Sequence, residues 1–432
     1  MLAKLKVVLK DSEHRHTVIH AVLALGIRIL GAAMAFLFNL AIAHQLGAEQ
    51  SGYFFLAFSL VMIFSAIARL GFDNTVLRFT SANSFNGKTV KAILHFSLKY
   101  SLPVAFLLML LVYFTAPFLA NMVFDKPEIV TTLRSISPAI IGLVIVALVA
   151  MSLQARHKLI ASIPCQNIAH FVLCGVAIIC LNVESASSTA LYLSLSLAST
   201  ACFFYWLSLR GLNDLGRTVS EGELWISARP NWVIMMMSQA VQWFAPIMVG
   251  VFLISEQVAF FSVAQRIALL TSFVLMAVNL VVAPKFSAFN SKGDLEGIRK
   301  TALFSVRLLV VSAFPIVLVM LLFPEFLMGL FGEEFKQGAA ILQILVLGQA
   351  VNVVTGSVGF LLQMTGHERD MRLVTLISGF GVLISVPIFT KLYGAIGAAI
   401  ATSFFISLQN LLAVYFVKKR LGFNTLKFWQ KM

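Results

Sequence analysis

Twelve long apolar stretches run through this chain, and they restrict its fold more than any other feature. Each holds about 20 or more predominantly apolar residues, enough for an α-helix to cross ~30 Å of hydrocarbon. The stretches do not alternate between apolar and polar residues, as the strands of a membrane β-barrel do. We therefore predict an all-α, polytopic membrane protein with helices at 17–43, 52–77, 92–116, 134–154, 160–181, 189–209, 231–253, 257–282, 301–323, 338–363, 371–390 and 393–417.

The basic residues between these stretches predict the orientation of the chain. They are few, because 59% of the 432 residues are hydrophobic and only 12% are charged. Cytoplasmic loops retain Lys and Arg, and the alternate segments that include both termini hold 23 of them. The other segments hold four: Lys126, Arg134, Lys336 and Lys391. We therefore expect both termini in the cytoplasm, and we attribute the net charge of +14 to topology, with no nucleic-acid partner.

The second half of the chain repeats the first at an offset of 207 residues. This offset places Glu49-Gln50 on Glu256-Gln257 and Pro117 on Pro324. Six helices per copy is an even number, so both copies enter the membrane from the same side and are related by an axis along its normal. We predict a cytoplasmic leader at 1–16, an N-terminal lobe at 17–209, a linker at 210–230, a C-terminal lobe at 231–417 and a basic tail at 418–432.

A segment near the N-terminus carries the clearest family pattern. The sequence LFNLAIAHQLGAEQSGYFFLAFSLVMIFSAIARLGFDNTVLRFTS at 37–81 resembles the opening of the bacterial O-antigen and polysaccharide flippases of the MOP exporter superfamily. LLQMTGHERD at 361–370 and SLQARHKL at 152–159 resemble loops of the same family. The resemblance covers nearly the whole chain in length and helix number, and it is strongest in 37–81.

This resemblance implies a transporter of undecaprenyl-diphosphate-linked oligosaccharides, a multi-pass protein of the bacterial inner membrane. Such proteins move the lipid-linked unit from the cytoplasmic to the periplasmic leaflet by alternating access, for polysaccharide or lipopolysaccharide biosynthesis. Helices 1, 2, 7 and 8 are expected to line a central cationic cavity. The implied partners are the lipid-linked glycan, the bilayer and other membrane proteins of polysaccharide assembly.

Apart from Arg134 and Arg372, which stand at the ends of their helices and are counted with the connecting segments, five basic residues lie inside the predicted helices: Arg28, Arg69, Lys99, Arg266 and Arg307. An arginine at bilayer depth costs ~2.5 kcal/mol or more unless it faces water or a partner, and the twelve helices contain a single acidic residue, Asp73. A water-filled cavity is therefore the most favourable location. Guanidinium groups form paired bonds with phosphate oxygens, so we expect Arg28 and Arg266, the deep pair, to bind the diphosphate. The other three lie nearer the cytoplasmic ends and are expected to attract it.

Helical spacing places uncharged polar groups on two of the expected cavity helices. Arg28 and Asn39 share one face of helix 1, with two small residues between them. Gln239, Gln242 and Trp243 share a face of helix 7, where Trp243 lies too deep for an interfacial aromatic belt. We expect the indole ring to stack on a sugar while the amides bond its hydroxyl groups.

Each basic residue also has a structural alternative. Arg69 and Asp73 have the spacing of a helical ion pair. Lys99 and Arg307 are close enough to the helix ends to extend to the headgroups. For the two deep arginines, backbone carbonyl groups of a neighbouring helix are the alternative partners.

The uncharged polar residues have structural alternatives as well. The three amide side chains suit hydrogen bonds between helices, and Trp243 suits packing. His95 and His170 stand alone in apolar stretches, so we interpret both as packed or hydrogen-bonded residues.

The sequence contains no signal for catalysis. It has no HExxH, GxxxxGK[ST] or GxSxG motif and no His, Cys and acidic cluster with metal spacing, so we predict no enzyme activity, no cofactor and no metal. Two rivals belong to the same superfamily. A cation-coupled multidrug exporter is expected to carry carboxylates inside the membrane, and a lipid II flippase tends to have two more helices than the twelve found here.

Overall fold

The computed structural model describes the backbone of residues 12–84, 86–212 and 220–429, and all side chains among them except those of 12–25, 280, 281 and 284. All regular secondary structure in these residues is helical, so the predicted all-α class is confirmed. Residues 1–11 of the predicted leader, 213–219 of the linker and 430–432 of the tail lie outside the described residues.

Eight helices form the N-terminal half, by which we mean the described residues up to 212: α1 (Ser12–Ala68), α2 (Phe72–Ala82), α3 (Gly87–Phe118), α4 (Ile129–Ile136), α5 (Ala139–Ala155), α6 (Leu159–Asn167), α7 (Ala169–Cys180) and α8 (Ala186–Leu209). A π-helical turn, Leu119–Val123, follows α3.

Eight more form the C-terminal half, from residue 220 onward: α9 (Glu221–Phe252), α10 (Ser255–Ala268), α11 (Leu270–Ser291), α12 (Leu295–Leu322), α13 (Pro324–Gly329), α14 (Ala339–Thr355), α15 (Val358–Met364) and α16 (Glu368–Leu421). Short 3₁₀ turns cover Glu333–Gly338 and Thr425–Lys427.

The two longest helices, α1 and α16, are hairpins that fold back at a glycine. Gly47 in α1 and Gly394 in α16 have positive φ angles of 69° and 64°, which L-residues with a side chain rarely adopt. Asp370 and Arg420 lie 50 residues apart within α16, yet their side chains meet at 2.7 Å. A straight helix would separate them by ~75 Å, so the chain reverses at Gly394.

These reversals bring the count of membrane-spanning segments to the predicted twelve. Within the described residues, nine helices are long and apolar enough to span a membrane, and the bent pair α6 and α7 makes a tenth. The hairpins α1 and α16 are counted once each among the nine, and each contributes two arms. The chain is therefore a multi-pass membrane protein.

Some boundaries differ from the prediction. Helix α9 begins at Glu221, so residues 221–230, assigned to the linker, are helical and extend the predicted helix 7. The predicted helix 10 is interrupted at Gly356, where φ is 79°. A Cβ atom there would lie 2.4 Å from Val306 of α12, so close packing of α12 against the chain selects glycine.

Helix packing gives the molecule two distinct ends. The turns at Gly47, 124–128, 253–254 and Gly394 border one pocket, and we call this end the Gly47 face. The opposite end, which carries the turn at Gly71 and the C-terminal residues 422–429, is called the tail face. Between these ends α1 packs against α9 and α10, and α9 packs against α16. The centre of the molecule is therefore built where the two halves of the chain meet.

The predicted repeat has two counterparts in the structure. The break at Gly47 lies 207 residues before Ile254, where α9 gives way to α10. Phe124 and Phe331, which the same offset superimposes, are both fully buried. The division into two lobes that move as bodies stays a prediction.

Candidate functional site

The central cavity lies between the two halves and has a volume of about 360 Å³. Both arms of α1 line it, together with α5, α6, α7, α9, α10 and α11. It thus involves the predicted helices 1, 2, 7 and 8, and in addition helices 4 and 5. Six of the nine predicted site residues line the cavity: Asn39, Arg69, Gln239, Gln242, Trp243 and Arg266.

Arg266 carries the uncompensated charge of the cavity. Helix α10 starts at the Gly47 face and brings Arg266 to the middle of the molecule. The guanidinium carbon lies 4.0 Å from the centre of the Phe55 ring, within the range of a cation–π contact. Its buried Nη1 atom has no hydrogen-bond partner among the residues that the structure describes, and none of those that line the cavity is acidic.

Arg69 lines the same cavity, but its charge is compensated. Its Nη1 atom donates to Oδ1 of Asp73 at 2.9 Å, and both side chains are about one-tenth exposed. Helix α1 ends at Ala68, and Leu70 and Gly71 take left-handed conformations that lead into α2. The predicted alternative of an ion pair at the helix end is therefore confirmed.

The structure does not bring the other three basic residues to the cavity. Arg28 is half-buried and lies one helical turn from Ala32, a residue that lines the cavity on the same face of α1. Lys99 is exposed, with its ammonium 5.4 Å from the centre of the Tyr100 ring. Arg307 donates from Nε to the carbonyl oxygen of Phe428, which ties α12 to the C-terminal residues.

Two amide side chains of the cavity wall carry a buried oxygen atom that has no hydrogen-bond partner among the described residues. Asn39 donates from Nδ2 to the carbonyl oxygen of Ala35, and its Oδ1 is one of these atoms. The Oε1 of Gln239 is the other. The side chain of Gln242 is exposed, and the backbone carbonyl oxygen of this residue accepts a hydrogen bond of 2.9 Å from Nε2 of Gln265.

An aromatic wall runs along one side of the cavity. Successive ring centres lie 4.2–6.3 Å apart, within the range of favourable aromatic contacts, in the order His170, Phe171, Phe38, Phe54, Phe58 and Trp243. Trp243 meets the edge of Phe58, so it packs within the wall and also borders the cavity. A wall of this kind offers ring faces to an apolar or sugar surface.

Sequence reasoning missed His170 as a cavity residue. The expectation of a hydrogen bond holds for His95, whose Nε2 lies 2.9 Å from the Tyr205 hydroxyl. His170 instead borders the cavity and is 3% exposed. Its Nδ1 has no hydrogen-bond partner in the part of the chain that the structure describes. Its position after the break between α6 and α7 was the only available signal, because a single histidine in an apolar helix has no spacing pattern.

A second missed feature is a small pocket of about 190 Å³ beside the cavity, which shares Gln242 and Leu269 with it. Its wall holds three further glutamines: Gln265, Gln349 and Gln409. The glutamines come from four different helices, so no periodicity in the sequence groups them.

The third missed feature is the buried side chain of Lys126. Although it is 9% exposed, its Nζ atom donates to the carbonyl oxygens of Phe124, Gly250 and Leu253 at 2.7–2.9 Å. Burial lowers the pKa of Lys126, and the nearby Asp125 and Glu256 carboxylates oppose this shift. Lys126 thus joins the loop after α3 to the C-terminal end of α9 at the Gly47 face.

Comparison with known proteins places this arrangement in a family. Residues 20–290 match the family model described as "Polysaccharide biosynthesis protein". The chain belongs to this family. Residues 230–390 also match the MatE model, so the sequence resemblance to polysaccharide transporters of the MOP superfamily is confirmed at the level of the family.

Two curated relatives come from Haloferax volcanii. "Probable low-salt glycan biosynthesis flippase Agl15" is 27% identical over 190 residues, which cover 43% of this chain and 39% of the relative. "Probable flippase AglR" is 23% identical over 191 residues, which cover 43% of this chain and 40% of the relative. The matched segment of this family member thus spans about two-fifths of each relative.

Solved structures show the same fold at low sequence identity. An inward-facing multidrug resistance MATE family transporter of the MOP superfamily superimposes with a TM-score of 0.73 and 16% identity, over 92% of this chain and 98% of that one. The lipid II flippase MurJ in an inward closed conformation gives a TM-score of 0.70 and 16% identity, over 92% of this chain and 87% of that one. This member of the polysaccharide biosynthesis family therefore has a MOP-type fold.

Proposed function

We propose that this protein is a flippase for oligosaccharides linked to undecaprenyl diphosphate. It moves them from the cytoplasmic to the periplasmic leaflet of a bacterial inner membrane, for polysaccharide or lipopolysaccharide biosynthesis. The observation that carries the proposal is Arg266. Within the described part of the chain, its buried Nη1 has no hydrogen-bond partner and no acidic residue lines the cavity. A lipid diphosphate supplies the missing anion, and membrane proteins of polysaccharide assembly are the candidate partners.

In this mechanism the cavity binds both the diphosphate and the sugar of the headgroup. Arg266 binds phosphate oxygens through paired hydrogen bonds, and Arg28, one turn from the cavity wall, attracts the headgroup. Asn39, Gln239 and Gln242 bond the sugar, and Trp243 offers it a ring face. The predicted lobes then rock about this site, so that the headgroup faces one leaflet at a time while the prenyl chain stays in lipid.

The charge pattern disfavours a multidrug exporter that carries cations. Such a protein needs a free carboxylate in the cavity to bind its cargo or coupling ion. Asp73 is the acidic residue nearest to the described cavity wall along the chain, and it is paired with Arg69 at 2.9 Å. Arg266 would repel a cationic drug, so the cavity suits anionic cargo.

The test is complementation of a flippase-deleted host, measured as surface polysaccharide at equal amounts of protein in the membrane. We expect Arg266→Gln to reduce surface polysaccharide by at least tenfold, because the paired contact with phosphate is lost. Arg266→Lys restores only part of it, since an ammonium lacks the planar fork of guanidinium. Arg78→Gln is the matched control, because Arg78 is exposed on α2.

Full activity of Arg266→Gln would overturn the proposal. Equal losses in Arg266→Gln and Arg78→Gln would also count against it, since the effect would then not depend on the cavity.

A further inference from the structure

The related motifs SLQARHKL and LLQMTGHERD form the same turn, one in each half of the chain. Leu153 of the first motif aligns with Leu362 of the second. Four residues later the backbone takes a left-handed conformation in both copies, at His157 and at Gly366. The backbone nitrogen that follows donates to the carbonyl oxygen of the leucine in both, which is the hydrogen bond of a Schellman motif. The two turns are therefore equivalent, and helices α6 and α16 begin at corresponding positions after them.

The two copies differ in how a basic residue at the end of a neighbouring helical arm is neutralised. Asp370 is the third residue of α16, and its carboxylate accepts hydrogen bonds of 2.7 and 3.0 Å from Arg420. In the N-terminal half the third residue of α6 is Ala161, and the basic residue is Arg210, directly after α8. The ion pairs among the described residues do not include Arg210, whose guanidinium lies 4.9 Å from the centre of the Trp206 ring. The N-terminal copy therefore lacks the carboxylate of the C-terminal one.

A groove of about 440 Å³ lies at the position of the missing carboxylate. Helices α6 and α8 both pack against α5, and the groove lies between them. It faces the surrounding lipid, because Ile160 in its wall and Trp206 beside it are exposed. Along α6 it extends for ~8 Å, which suits the upper part of an acyl chain. Six residues form its apolar wall: Leu159, Ile160, Ala161, Pro164, Phe204 and Leu207.

Basic side chains surround the mouth of this groove at the tail face. His157 and Lys158 line it, and Arg156 donates from Nη1 to the carbonyl oxygen of Ser208 at 2.7 Å, so the guanidinium reaches from the end of α5 to the end of α8. Burial and the neighbouring Arg156 charge both lower the pKa of Lys158. No acidic residue in the described part of the chain forms an ion pair with Arg156 or Lys158. An anion between these cations would relieve their repulsion.

From this arrangement we infer that the groove between α6 and α8 binds an anionic phospholipid. Its phosphate lies among Arg156, Lys158 and Arg210, where it takes the place that the Asp370 carboxylate has in the other half, and one acyl chain lies along the apolar wall. Basic pockets between helices at the cytoplasmic end, which the sequence predicts the tail face to be, suit anionic headgroups. This site does not depend on the proposed function, because it shares no lining residue with the central cavity.

The experiment measures lipid binding to the delipidated full chain by native mass spectrometry. The probes are phosphatidylglycerol and phosphatidylcholine with identical acyl chains, and the readout is the apparent dissociation constant of the first bound lipid. We expect the wild type to bind phosphatidylglycerol about tenfold more tightly than phosphatidylcholine. Lys158→Gln weakens phosphatidylglycerol binding about fivefold, since one basic residue near the phosphate is lost. Lys292→Gln is the matched control and leaves binding unchanged, because Lys292 is an exposed lysine after α11, away from the groove.

A substitution at Ala161 tests the correspondence with the other half directly. Ala161→Asp supplies the missing carboxylate, which pairs with the basic residues and repels the phosphate, so we expect the preference for phosphatidylglycerol to disappear. Ala161→Asn adds a side chain of the same size without the charge and retains the preference. If Ala161→Asp does not fold, as judged by size-exclusion chromatography, Lys158→Glu carries the same expectation.

Several outcomes would contradict the site. Equal affinity of the wild type for the two phospholipids would overturn it, as would an unchanged preference in Ala161→Asp. Equal losses in Ala161→Asp and Ala161→Asn would show that space and not charge is responsible, which overturns the phosphate assignment. Undecaprenyl diphosphate serves as a third probe. If it binds with this dependence on Ala161→Asp and phosphatidylglycerol does not, the groove receives a prenyl lipid and the phospholipid assignment is wrong.

Discussion

Substitutions of the two deep arginines, Arg28 and Arg266, should change different parameters of transport. Arg28 lies one turn outside the cavity wall, so its role in the proposed function is long-range attraction, which depends on charge. We predict that Arg28→Ala raises the substrate concentration for half-maximal transport in proteoliposomes by about tenfold and leaves the maximal rate nearly unchanged. Arg28→Lys should recover most of this loss. If Arg28→Ala lowered the maximal rate as much as Arg266→Gln, Arg28 would be in contact with bound substrate.

Both charged residues of the cavity wall, Arg69 and Arg266, were predicted from the sequence, as were four neutral ones, whereas His170 was not. Arg266 could be recognised as a candidate site residue from the sequence, because a charge in an apolar stretch has few stable environments. His170 looks the same in sequence whether it packs or binds, since its role depends on the break between α6 and α7. The helical periodicity that places Asn39 on the cavity side of α1 succeeded because it depends on local geometry alone.

The contact between α1 and α10 sets how closely the two halves approach at the Gly47 face. A Cβ atom on Gly52 would lie 1.9 Å from the carbonyl oxygen of Ser255. We predict that Gly52→Ala destabilises the protein by about 1–3 kcal/mol through overpacking, seen as a lower unfolding temperature in detergent. Gly26→Ala is the control, because its Cβ would meet none of the described atoms within 4 Å. Equal unfolding temperatures for the two variants would disprove the tight contact.

Helix number was predictable, whereas helix ends and breaks were not. Apolar length alone identifies the spanning segments. The hairpin glycine Gly47 falls between two predicted helices, but Gly394 falls at the second residue of the predicted helix 393–417, so that prediction began too early. Hydropathy does not detect the interruption at Gly356, because the apolar sequence continues through it and the cause is a neighbouring side chain, Val306. The helical start of α9 at Glu221 was missed because its first turns are polar.

Across the whole molecule, contacts between the halves at the Gly47 face come from several elements. His44 Nε2 lies 2.8 Å from the carbonyl oxygen of Leu330, and the backbone nitrogen of Ala48 donates to Glu334. Lys126 adds two hydrogen bonds to carbonyl groups at the end of α9. The proposed alternating access would require these contacts to break together, and their combined strength would then set the population of the opposite-facing state.

Lys126 offers the most direct control over that population, because one side chain holds two carbonyl oxygens of the other half. We predict that Lys126→Met separates the halves at the Gly47 face, since bonds from a charged donor each contribute about 1.5–3 kcal/mol. The measurement is the distance between spin labels at Glu128→Cys and Gln337→Cys, both exposed, with the exposed Cys180 and Cys202 replaced by serine. The distance distribution should lengthen in Lys126→Met and return towards the wild type in Lys126→Arg. An unchanged distribution in Lys126→Met would show that the remaining contacts alone keep the Gly47 face closed.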